Sequence, residues 1–94
     1  MVRPRPKRYD VQITVKSITK GECSQGFKPG DTWLVKGKTP DGMCLGAFGV
    51  LYPTLSVLQF GGERPWDEDR DVILVSCPDL NVQVIYELRR LRGD

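Results

Sequence analysis

Residues 43–66 read MCLGAFGVLYPTLSVLQFGGERPW, the longest apolar run of the chain, with a proline in its middle and a glycine pair near its end. Phe48, Leu51, Leu55 and Leu58 recur at three- and four-residue spacings, as one face of a helix does. Gly46 and Gly49 each weaken such a helix by about 1 kcal/mol relative to alanine. Pro53 lacks the backbone donor and crowds the preceding turn, so the spacing predicts one kinked helix or two short ones, with Pro53 opening the second. Gly61-Gly62 supplies the stop, since glycine is common just past a helix end.

The flanks read as strands. Upstream, Val11, Ile13 and Val15 alternate with Gln12, Thr14 and Lys16, a half-buried strand. It runs into the turn-rich KGECSQGFKPGD, where Lys28-Pro29-Gly30-Asp31 suits a type II turn. Residues 32–36 form a second strand with Trp33 and Val35 on one face. Asp41-Gly42 then marks a loop. Downstream, Val72-Ile73-Leu74-Val75 is continuously apolar and predicts a central strand covered on both faces. A turn at Cys77-Pro78-Asp79 leads to the last strand, residues 82–88, with Val82, Val84, Tyr86 and Leu88 on one side. The order ββαββ predicts an α+β domain: a small, mostly antiparallel four-stranded sheet packed on the helical element. Residues 1–8 alternate proline with basic residues and read as a mobile arm, leaving residues 9–94 as one domain.

Composition narrows the function classes. Ninety-four residues can build one modest core. No run approaches the roughly 18 apolar residues of a membrane span, and the basic start lacks the apolar stretch of a secretory signal. We therefore read a cytoplasmic protein without a membrane partner. Its three cysteines, Cys23, Cys44 and Cys77, are odd in number and widely spaced, as expected of free thiols in a reducing compartment. The chain has no histidine, which excludes a histidine-based triad and removes the commonest nitrogen ligand for zinc.

Several pieces in order, G-E-C-S-Q-G-F-K-P-G-D-T-W (21–33), K-T-P-D-G-M-C (38–44), A-F-G-V-L-Y-P (47–53), F-G-G-E-R-P-W (60–66) and S-C-P-D (76–79), resemble a family of small bacterial and archaeal proteins of unassigned function. The resemblance spans residues 9–90, and C-x-x-A-F-x-x-x-Y-P and F-G-G-x-x-P-W are its specific parts. It implies that all three cysteines are motif positions. It departs at Phe27, where many relatives carry histidine. The resemblance implies no reaction.

Each cysteine falls at an element boundary. A thiol at a helix start is favoured as thiolate by the helix dipole and free N–H groups, which singles out Cys44 as a candidate nucleophile. Space opened by Pro53 could form an apolar pocket, with Cys44 and Tyr52 as its polar points and Cys23, Cys77, Trp33, Phe48 and Trp66 as its ligand-binding walls. The leading expectation is a small binding or accessory protein for a small-molecule ligand. A cysteine-dependent enzyme is the second, using Cys44 with Tyr52 or Asp79 in place of histidine. A thiolate metal protein, closed by Asp31 or Asp79, lacks the C-x-x-C pairs structural zinc prefers, so no metal ligand and no cofactor is assigned. Asp67, Glu68, Asp69 and Asp71, interrupted by Arg70, read as a solvated acidic loop without calcium-loop spacing.

The basic residues concentrate at the ends: Arg3, Arg5, Lys7 and Arg8, then Arg89, Arg90 and Arg92. If the first and last strands pair antiparallel, these form one patch for phosphate, nucleic acid or a protein partner. A net charge of +2 and the absence of an exposed aromatic ladder disfavour nucleic acid. An exposed sheet edge would allow a homodimer.

Overall fold

The structure is a computed structural model that describes residues 8–23 and 25–92. The expected arm up to residue 7, with Arg3, Arg5 and Lys7, lies outside the described residues. The chain forms β1 (Asp10–Lys20), β2 (Thr32–Val35), α1 (Leu45–Gln59), β3 (Val72–Ser76) and β4 (Gln83–Leu91). All pairings are antiparallel, and the sheet order is β2-β1-β4-β3. This is an α+β domain, with one helix against one four-stranded sheet among the described residues. No helix among the described residues is long and apolar enough to cross a membrane.

The two termini of the sheet meet as expected, with Asp10 opposite Leu91. One strand is placed differently from expectation: β3 is an edge strand, not a central one. Its continuous apolar run would need cover on both faces, yet one helix covers only one. Ile73 is therefore buried while Leu74 is half-exposed on the open face. The central strands are β1 and β4, whose alternating patterns suit a sheet with one face solvated.

A bulge keeps β1 in step with β4. Val15 pairs with Tyr86, but Ser17 pairs with Ile85, so Lys16 is extra. The bulge reverses the alternation and brings Ile18, rather than Ser17, opposite Val84 on the core side. The predicted turn closes β1 against β2. The Asp31 N–H donates to the Lys28 carbonyl at 3.0 Å, and Gly30 has φ +97°.

One helix runs through Pro53, so the alternative of two short helices is not realised. Its buried face is Ala47, Leu51, Leu55 and Leu58, while Phe48 is half-buried at the margin. Pro53 and Gly49 lie on the exposed face, where water can serve the Gly49 carbonyl that proline cannot. The C-terminus ends in a Schellman motif: the Gly62 N–H donates to the Val57 carbonyl (2.8 Å) and the Gly61 N–H, at φ +82°, to Leu58 (3.2 Å). The Phe60 N–H donates to Ser56 and the Tyr9 N–H to Gln59, so all four last carbonyls have a donor.

Arg90 corrects the expected surface patch. It is buried, with its guanidinium held by four acceptors: Asp71 Oδ1 (2.9 Å) and the carbonyls of Leu58 (3.2 Å), Gly62 (2.9 Å) and Arg70 (2.7 Å). A cation at a helix C-terminus also complements the helix dipole. Arg92 pairs with Asp71 at 2.8 Å, and Arg89 lies near Asp69 and Glu87 at 3.6 and 3.7 Å. Tyr9 lies 5.6 Å beneath both Arg90 and Arg92. Carboxylates from the loop read as solvated thus offset much of the C-terminal basic cluster, because that loop returns along β4 and inserts Asp71 between the two arginines.

Candidate functional site

Cys23, Cys44 and Cys77 line one pocket of about 270 Å³ at the end of the sheet where α1 begins. Three separate turns bring them there. Cys23 follows Gly21, whose φ of +71° lets the β1–β2 loop press against the β3–β4 loop. A Cβ at Gly21 would lie 2.7 Å from the Asn81 carbonyl, and Lys20 Nζ donates to the Leu80 carbonyl at 3.1 Å. Cys44 is the helix N-cap; its carbonyl accepts the Phe48 N–H, but its side chain caps no backbone group. Cys77 follows β3 directly and is fixed by donating its N–H to the Val84 carbonyl at 2.8 Å.

The walls between the thiols are mainly apolar, from Ala47, Pro78, Val82 and Val84, with Gly46 also on the lining. Polar points are few: Gln25, Asp79 and the Tyr86 phenol. Asp79 already accepts the Asn81 N–H at 2.8 Å. All three thiols are half-buried and unbridged. Among the described residues, no three of histidine, cysteine, aspartate and glutamate are arranged to hold a metal ion. The thiols surround a space without converging on a common centre.

Tyr86 is the polar residue at the base of this space. Burial pushes its phenol well above the ordinary range, and the charge that Cys77, Cys23 and Cys44 would carry when ionised pushes it further. The phenol therefore stays a hydrogen-bond donor across the physiological range. Because its folded-state pKa is raised, the stability it contributes is complete below the unfolded value of about 10 and is lost as pH rises above it. Chemical denaturation across pH 9–12 should show wild-type stability falling more steeply than that of Tyr86→Phe. Parallel curves would contradict this placement.

The aromatic residues expected around the thiols go elsewhere. Trp33 packs edge-on against Phe27 at 4.8 Å. Phe48 and Tyr52, 5.9 Å apart, line a different cavity that runs along α1 to its C-terminal end. Trp66 is exposed beneath Arg64 at 5.5 Å. Pro53 does not open the thiol pocket; the pocket forms because three loops meet at the helix start. Tyr86 and Gln25 were not foreseen as site residues. The signal for Tyr86 was present, since a phenol interrupts the aliphatic stripe Val84–Leu88 on the inward side of the last strand. Gln25 carried no comparable signal.

The chain matches no protein-family model, no characterised protein and no solved structure.

Proposed function

We propose that this protein binds a small, largely apolar molecule in the thiol-lined pocket, with the phenol of Tyr86 and the side chains of Gln25 and Asp79 as orienting polar groups. One observation carries the reading: cysteines at positions 23, 44 and 77 line the same cavity, although no local spacing links them. An apolar cavity with a few placed polar groups is how small-molecule sites are commonly built. At about 270 Å³ it suits a compact ligand. The thiols give it soft, polarisable walls.

The test uses 4-fluorophenol as the probe, followed by fluorine NMR. Saturable binding should slow iodoacetamide alkylation of Cys44 and Cys77 together. Alkylation at unchanged rates under saturating probe would remove the reading.

A further inference from the structure

A second cavity, of about 320 Å³, lies along α1 from Phe48 to the helix end and shares none of the thiol pocket's lining residues. One wall is aromatic: Phe48 and Tyr52, one helical turn apart, and Phe60 just after the helix. Tyr52 and Phe60 are 56% and 53% exposed, so the fold leaves these rings uncovered instead of using them as core. The facing wall carries Arg8, Lys38 and Thr39, with no acidic residue anywhere on the lining.

The two cations are positioned by specific backbone features. The Tyr9 N–H donates to the Gln59 carbonyl at 2.8 Å, which ties the chain at Arg8 to the end of the helix. Gly37, at φ +87°, lets the Arg8 guanidinium approach the β2–α1 loop; a Cβ there would sit 3.4 Å from it. Lys38 and Thr39 follow in that same loop. Neither Arg8 nor Lys38 forms an ion pair among the described residues, whereas five of the other arginines do. The last helical carbonyls, which would repel an anion, already accept the N–H groups of Phe60, Gly61, Gly62 and Tyr9. What lines the cavity is a set of aromatic rings beside two cations that have no ion-pair partner among the described residues.

We infer that this cavity is a second binding site, for a planar ring bearing an anionic group, with a nucleoside monophosphate as the representative ligand. Phe48, Tyr52 and Phe60 receive the ring by stacking, which is tolerant of the ring's identity. Arg8 and Lys38 hold the phosphate, with Arg8 suited to bidentate contact and Lys38 acting as a point charge. The site stands independently of the thiol pocket.

The test is a titration of the whole protein with AMP, followed by amide chemical shifts, with adenosine and inorganic phosphate as separate probes. AMP should saturate, moving the amides of residues 37–39, 48, 52 and 60. Adenosine and phosphate should each bind at least about tenfold more weakly, since each lacks half of the recognition. Lys38→Glu and Tyr52→Ala, both at exposed positions outside the core, should weaken AMP about tenfold or more while leaving the fold's spectrum intact. Any of three results would overturn the inference: no saturation by AMP, adenosine binding as well as AMP, or shifts centred on residues 23, 44 and 77.

Discussion

Arg90→Met should be strongly destabilising, lowering stability by about 3–5 kcal/mol. Methionine fills much of the same space but donates no hydrogen bond. It leaves the carbonyls of Leu58, Gly62 and Arg70 without that donor and leaves Asp71 with Arg92 alone. Each charge-assisted bond lost is worth about 1.5–3 kcal/mol, although the Leu58 carbonyl keeps the Gly61 N–H, and the guanidinium joins the helix C-terminus, the acidic loop and β4. For a domain of this size the thermal midpoint should fall by roughly 12–40 °C. The control is Arg89→Met, one residue away with a side chain 44% exposed and looser pairs, which should change stability by less than about 1 kcal/mol. Equal effects of the two substitutions would contradict the role given to Arg90. The same cluster sets the acid limit. Hydrogen bonds from Arg92, and then from Arg90, hold the Asp71 carboxyl below its usual range. A depressed folded-state pKa means that its stabilisation is present above the unfolded value of about 3.9 and lost as pH falls through the folded one. Asp71→Asn should flatten that acid branch.

Gly46→Leu should separate binding from stability. Gly46 lies in the first turn of α1 and lines the thiol pocket, and a Cβ there meets no atom within 4 Å. Replacing a helical glycine with leucine should stabilise the fold by about 0.5–1 kcal/mol, or roughly 2–8 °C. The same side chain occupies the space between the thiols, so 4-fluorophenol binding should be lost. A variant that is more stable yet binds the probe unchanged would place the probe elsewhere. A less stable variant would mean that the helix start is packed more tightly than its geometry shows.

The fold was largely legible because its signals are local. Alternation at Val11, Ile13 and Val15, the Lys28–Asp31 turn and the glycine pair after the helix each determine a few residues by themselves. What misled was context. Residues 72–75 are apolar enough for a central strand, and only the count of covering helices puts them at an edge. Arg90 carries the same sequence signal as Arg89, yet strand parity sends one into the core and leaves the other half-exposed. Cysteine pattern selected the three thiols, but the residues around them come from loop geometry. Nearness in sequence groups the aromatics with that pocket, whereas helical periodicity carries Phe48 and Tyr52 to another cavity. The Lys16 bulge, which moves Ile18 to the core side, has no distinct residue signature at all.

The most direct measurement of a shared thiol cavity is mutual exclusion of a bulky label. In a Cys23→Ser background, pyrene maleimide attached at Cys44 would occupy the space that Cys77 faces, and the reverse holds equally. Mass spectrometry of the folded protein with excess reagent should show one adduct per chain, divided between the two positions, and two adducts once guanidinium unfolds it. Two adducts on the folded chain would mean that the two thiols do not share a cavity.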